Sequence, residues 1–222
     1  MPEWFAFDDE ILKRLLLEKA RQGFCQLKQQ YSADHIYCFA LYSHGSYSFV
    51  YTAASSEEGL TRSAEKHMTH DLAGNHGWFN GLNLDQVRMM LRHNIGDSPL
   101  HEPSIAETLF KTVCDLTEVR SNTLFNKWCE IANEVSEKAA FEAVRPYNET
   151  FRDMCLDVLR QLDHEGMFGK GKRRQQVVVN FLTAGQSRQE MVSYARMLNP
   201  ATVAKRYESE LDMASGIHLT HV

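Results

Sequence analysis

The sequence contains no apolar run near the roughly 18 residues that a membrane-spanning helix requires, and its mean hydropathy is −0.41. No membrane partner is expected. The opening residues Met1-Pro2-Glu3-Trp4 lack the basic and apolar segments of a secretory signal. Cysteine is scarce: five residues at positions 25, 38, 114, 129 and 155, odd in number and scattered through apolar stretches. That argues against a disulfide framework and predicts reduced thiols in a cytoplasmic protein. Internal repeats and low-complexity segments are also missing. With 43% hydrophobic and 24% charged residues, the 222-residue chain has ordinary globular composition, so one domain over residues 1–222 is expected.

Catalytic signatures are missing too. The nucleophile elbow Gly-x-Ser-x-Gly does not occur, Ser43-His44-Gly45-Ser46 lacks its strand–turn–helix context, and there is no dinucleotide fingerprint. Gly169-Lys170-Gly171-Lys172 suggests a phosphate loop, but a helix precedes it and a strand follows, the reverse of what that loop needs. A helix-to-strand turn with solvated lysines is the expectation. His67-x-x-His70-Asp71, with His76 nearby, is the best metal candidate, because histidines at i and i+3 share a helical face. Neither His-Glu-x-x-His nor a downstream carboxylate at metal-site spacing accompanies it, so no metal and no cofactor are expected. A metal-dependent hydrolase built on these four residues is the alternative to a non-enzymatic protein.

Positive charge of the density a nucleic-acid binder needs is also lacking. The net charge is −5, distributed as 0 over residues 1–33, −4 over 34–103, −5 over 104–165 and +4 over 166–222. Phosphate neutralisation requires Lys and Arg gathered on one face, so nucleic acid is disfavoured as a partner and a basic protein is allowed.

Among the features present, Asp8 can cap a helix over 9–31 with a stripe from Ile11 to Phe24. Aromatic and β-branched runs at 36–42 and 47–52 predict a hairpin, and Ser55-Ser56-Glu57-Glu58 predicts the start of a helix through Met68. Asn83 with Gln86 starts a short helix ending near His93, and Asn94 to Pro103 reads as a linker. Residues 104–165 form a helical middle section, with a break near Ser121-Asn122 and an end or kink at Arg145-Pro146. The near-continuous apolar run at 176–182 predicts the central strand of the sheet. Ser187-x-x-Glu190 opens a further helix and Ala201 a last one, to about Met213. The predicted fold is α+β, a small antiparallel sheet (hairpin 36–52 plus strand 176–182) packed with several helices.

Two acidic stripes mark a possible docking surface. Glu130, Glu134 and Glu137 fall at i, i+4 and i+7, opposite Phe125, Trp128, Ile131 and Val135. Glu149, Asp153 and Asp157 repeat the spacing opposite Phe151, Met154, Val158 and Leu162. Like charges at i, i+4 cost a few tenths of a kcal/mol per pair, tolerable on a solvated face and relieved by a basic partner. Trp78 and Phe79, in a Gly/Asn-rich loop over 71–82, offer a second surface as an aromatic anchor.

Tyr37-Cys38-Phe39-Ala40-Leu41-Tyr42 and Tyr51-Thr52-Ala53-Ala54-Ser55-Ser56-Glu57-Glu58-Gly59-Leu60 resemble the opening signature of the bacterial domain of unknown function 4303 family. Gly166-Met167-Phe168-Gly169-Lys170-Gly171, followed by an apolar strand, is similar to that family's C-terminal signature. The matches bracket roughly residues 9–205. The resemblance implies an α+β protein without assigned catalytic residues. It also implies an immunity role, since some members occur beside polymorphic toxin genes. The expected function is therefore a cytoplasmic immunity-type protein that binds and neutralises a cognate toxin, with a structural or regulatory adaptor as a further alternative.

Overall fold

The computed structural model describes residues 4, 5, 7–72, 79, 81–94 and 103–220. Helix α1 (Asp9–Gln30) starts where the Asp8 carboxylate accepts from the Glu10 and Ile11 amides at 3.1 and 3.0 Å. Strands β1 (Ile36–Ser43) and β2 (Val50–Ser56) form the expected hairpin, although β2 runs four residues past the predicted end at 52. The Ser56 hydroxyl then accepts from the Gly59 amide at 2.9 Å, capping α2 (Glu57–Leu72). Helix α3 (Leu84–Leu91) opens with the Asn83/Gln86 capping box. The long helices α4 (Pro103–Glu134) and α5 (Glu137–His164) follow, then a 3₁₀ turn at Arg174–Gln176 and β3 (Val178–Thr183). Helix α6 (Arg188–Leu198), with the Ser187/Glu190 capping box, and α7 (Ala201–Thr220) complete the order. The fold is α+β.

The sheet differs from expectation in two ways. Its order is β2-β1-β3, so β1 is central and the 176–182 segment is an edge strand. It is mixed and not antiparallel: β1 pairs with β2 antiparallel and with β3 parallel, Cys38 opposite Val178 and Ser43 opposite Thr183. The apolar run of β3 reflects burial on both faces. Phe39, Leu41, Val179 and Phe181 point to a core built with α1, α4 and α5, while Cys38, Ala40, Val178 and Leu182 point to one built with α2, α3 and α7. The outer edge of β3 is closed by side-chain amides. Asn199 Nδ2 donates to the Val179 carbonyl at 2.7 Å while its Oδ1 accepts from the Val179 amide at 2.8 Å. Gln186 does the same more loosely, with the Phe181 carbonyl at 3.4 Å and the Thr183 amide at 3.3 Å. These amides stand where another strand would pair, so the apolar edge is not left open.

The helical middle section also divides elsewhere. Helix α4 runs through Ser121-Asn122, because Thr117 and Ser121 donate from its inner face to the Ser48 and Ser46 carbonyls of the β1–β2 loop, each at 3.0 Å. Helix α5 continues through Arg145-Pro146 and does not end there. Pro146 is exposed, and buried Val144 and Phe151 anchor the helix on either side. The actual break is at Val135-Ser136, where the Ser136 hydroxyl accepts from the Ala139 amide at 3.2 Å.

Candidate partner-binding surface

Helices α4 and α5 pack as an antiparallel hairpin, and their tip inverts the usual burial order. Phe125 is 61%, Val135 71% and Phe141 60% exposed. Trp128 holds the two phenyl rings together, stacked on Phe125 at 6.2 Å and edge-on to Phe141 at 5.6 Å. The stripe Phe125, Trp128, Ile131 and Val135, expected to face the core, is therefore a partly solvated apolar patch. Behind it lies a small separate core of Phe5, Leu124 and Val144, with Trp4, Trp128 and Tyr147 packed against it. The Trp128 Nε1–H is buried without a hydrogen-bond partner among the described residues.

The acidic stripes do not form one face. The break at Ser136 places Glu130 and Glu134 on α4 and Glu137 on the first turn of α5, all exposed around the tip. Glu130 pairs with Lys127 at 2.5 Å. Phe151, Met154, Val158 and Leu162 are buried as predicted. On the other side of α5, Glu149 and Asp153 are exposed and Asp157 is half-buried. Asp153 contacts Arg152 at 2.8 Å, and Asp157 reaches Arg160 at 2.8 Å and Lys13 of α1 at 3.2 Å. Asp157 lies about 30 Å along the helix from Glu137 at 1.5 Å per residue, so the second stripe belongs to the α1–α5 seam.

Of the other sequence candidates, Phe79 is half-buried and meets the His67 ring edge-on at 5.4 Å. Trp78 and His76 lie outside the described residues, as do the side chains of His70 and Asp71 on α2. Among the described residues no group of three or more His, Cys, Asp or Glu could hold a metal ion.

Sequence reasoning missed a charged network on the other side of the sheet. The Glu57 carboxylate of α2 is bridged by Arg88 at 3.3 Å and by Arg92 at 3.0 Å. The Arg92 guanidinium lies 4.2 Å above the Tyr37 ring, and its Nε is 3.5 Å from Glu210 of α7. Glu210 Oε2 accepts from His93 Nε2 at 2.7 Å. Burial would raise the Glu210 carboxyl, but His93, Arg92 and Arg206 outweigh it and hold it below the usual carboxylate range. Burial pushes the His93 imidazole down, and the carboxylate's opposing pull does not restore it. A neutral imidazole beside an ionised carboxylate carries its proton on Nε2, which leaves Nδ1 as a bare acceptor. Nδ1 is buried and has no donor among the described residues, an omission that costs about 1–3 kcal/mol. Two cavities flank the dyad: one of about 660 Å³ with Glu210, Arg92 and Arg206 in its wall, one of about 430 Å³ with His93 in its wall. The ten histidines are scattered, and only the fold marks His93 as different.

A mixed three-stranded sheet packed with helices, with an apolar-tipped helical hairpin, defines an α+β protein. Residues 16–200 match the family model described as domain of unknown function (DUF4303), and the chain belongs to that family. No curated protein and no solved structure matches it. Among the described residues, no helix is long and apolar enough to cross a membrane.

Proposed function

We propose that the chain is a non-enzymatic, immunity-type protein that binds and neutralises a cognate protein toxin through the α4–α5 tip. The observation that carries this reading is the cluster of Phe125, Trp128, Val135 and Phe141, three of them at least 60% exposed, at the end of a rigid hairpin. Exposed aromatics clustered by ring contacts are the residues that anchor protein interfaces, because they bury large area at little entropic cost. Glu130, Glu134 and Glu137 surround the patch, so the complementary partner surface is an apolar socket with a basic rim. The rim speeds encounter and sets salt dependence, while the aromatic centre supplies affinity.

Calorimetry with the product of the neighbouring toxin gene tests this. Phe125→Ser combined with Phe141→Ser should weaken binding at least about a hundredfold, or roughly 2.7 kcal/mol. Glu134→Lys with Glu137→Lys should cost about tenfold, mainly in association rate and mainly at low salt. Unchanged affinity in a folded Phe125/Phe141 double variant would remove the tip as the interface.

A further inference from the structure

The cavity of about 660 Å³ lies at the amino ends of β1 and β3, where Asp34–Tyr37 enter the sheet beside Gln176–Val178. No residue of α4 or α5 lines it among the described residues. Its volume is in the range of small-molecule sites, about 300–1,000 Å³. Ile36 and Tyr37 supply apolar wall, and guanidinium and carboxylate groups supply most of the rest.

The three carboxylates of the wall are all answered within the chain. Asp34 is held by Arg62, which stands outside the wall, at 3.0 Å. Glu57 has Arg88, also outside the wall, at 3.3 Å and Arg92 at 3.0 Å. Glu210 Oε1 has two guanidiniums beside it, Arg92 Nε at 3.5 Å and Arg206 Nε at 3.9 Å, while its other oxygen accepts from His93. Glu58, outside the wall, is engaged by the His35 ring at 2.5 Å and the His35 amide at 2.7 Å. Matching each wall carboxylate with one guanidinium therefore uses Arg62, Arg88 and one of Arg92 and Arg206. The other of that pair is left over. So is Arg173, whose guanidinium has no hydrogen-bond or ion-pair partner among the described residues. A chain of net charge −5 thus gathers surplus positive charge around one cavity.

These cations can reach a ligand. Arg92 keeps 23% and Arg206 39% of its side-chain surface, and Arg173 is exposed. The Tyr37 ring, 4.2 Å from the Arg92 guanidinium, steadies that group. Arg206 donates from Nη1 to the Gln175 carbonyl at 3.1 Å and from Nη2 to the Gln176 carbonyl at 2.9 Å, which leaves one N–H free on each nitrogen. Those bonds also hold it against the turn that begins next to Arg173. Guanidiniums gathered in this way repel one another. An anion among them removes the repulsion and gains charge-assisted hydrogen bonds to preformed forks.

We propose that this cavity binds a small organic dianion of the phosphate-monoester class, its phosphoryl oxygens bonded by Arg206 and Arg173 beside Arg92 and its organic part against Ile36 and Tyr37. A phosphate monoester carries a charge of about −2 near neutral pH, which matches the surplus, whereas a sulfonate brings only one charge. Binding there uses no residue of the hairpin tip and is separate from toxin docking.

The test is calorimetry and two-dimensional amide NMR on the full chain, at low salt and about pH 7.5, where phenyl phosphate is a dianion. Benzenesulfonate serves as a monoanion of closely similar shape. Phenyl phosphate should bind at least about tenfold more tightly than benzenesulfonate. It should also shift the amide resonances of Ile36, Tyr37, Val177 and Val178. Arg173→Gln changes an exposed side chain and should weaken phenyl phosphate binding at least about threefold; combined with Arg206→Gln the loss should reach at least about tenfold. Lys172→Gln removes the same charge one position away, outside the wall, and should change affinity by less than about twofold. Equal affinity for the two probes, no binding of phenyl phosphate up to about 5 mM, undiminished binding in the folded Arg173→Gln variant, or an equal loss from Lys172→Gln would each overturn the proposal.

Discussion

The α3/α7 side of the sheet and the tip of the α4–α5 hairpin treat polarity in opposite ways. Beside the sheet, guanidinium, carboxylate and imidazole groups are taken out of water and joined to one another: Arg92 with Glu57 and Glu210, His93 with Glu210. At the tip, phenyl and isopropyl groups are left in water while exposed carboxylates stand around them. The first arrangement is costly unless every partner is present, and so it fixes geometry. The second forgoes the burial of apolar area that a fold ordinarily gains, and it becomes favourable when another molecule covers it. Contacts within the chain thus cover most of the first region, whereas the second keeps its apolar area in water.

Breaking a buried charge should have the largest effect. Arg174 is 7% exposed, and its guanidinium donates to Asp163 at 2.7 Å, the Val177 carbonyl at 2.7 Å and the Leu198 carbonyl at 2.9 Å. It ties the end of α5 to the start of β3 and the last turn of α6. Arg174→Ala should lower unfolding free energy by about 3–5 kcal/mol in urea denaturation, since it leaves a carboxylate and two carbonyls short of a donor. A loss below about 1 kcal/mol would mean that this buried charge does not hold α5, β3 and α6 together.

Acid should discriminate between the regions more gently. The His93 pKa in the folded chain lies below its ordinary value of about 6.5, so as pH falls through that value the unfolded chain takes up a proton first. The stability His93 contributes is present above about pH 6.5 and is lost as pH drops towards the folded value. Glu210, also depressed, adds a second loss in the acid range below about 4.5. The exposed His35–Glu58 pair acts with the opposite sign on its histidine, whose pKa is raised by the hydrogen bond it donates to Glu58. Solvent screens that pair, so it should not mask the trend. Denaturation midpoints measured from pH 7.5 to 5.5 should fall, and His93→Gln, which keeps an amide donor for Glu210, should flatten the slope. An unchanged slope in that variant would assign the acid sensitivity to another group.

The smallest effect sharpens the contrast. Phe125→Ser with Phe141→Ser should shift stability by no more than about 0.5 kcal/mol per site, the range for most exposed positions. A thermal melt showing several kcal/mol of loss would make the tip part of the core.

Much of the architecture was legible because it rests on local chemistry. The caps at Asp8, Asn83 and Ser187 and the aromatic and apolar run of β1 announce themselves in a few consecutive residues. The strand order did not, because which strand lies at the edge depends on what covers it. Asn199 and Gln186 close the β3 edge with amides that in sequence look like ordinary loop residues. The continuity of α4 through Ser121-Asn122 was hidden similarly, its polar residues serving carbonyls 69 and 75 positions away. At the hairpin tip the exposure of Glu130, Glu134 and Glu137 follows from their spacing, and that of the aromatic patch does not. Phe125, Trp128 and Val135 keep helical spacing whether they face a core or water, and spacing carries no information on which side is covered.

The parallel pairing of β1 with β3 has a consequence in time. Cys38 meets Val178 roughly 140 residues later, with all of α2 to α5 between them. At a synthesis rate of about 5–20 residues per second, β1 and β2 leave the ribosome on the order of ten seconds before their third strand exists. Throughout that interval one flank of β1 offers unpaired amides and carbonyls, and the cap that will close the sheet on its far side, Asn199, is made later still. The period in which this chain can mispair is set by the pace of translation and lies outside the stability of the finished molecule.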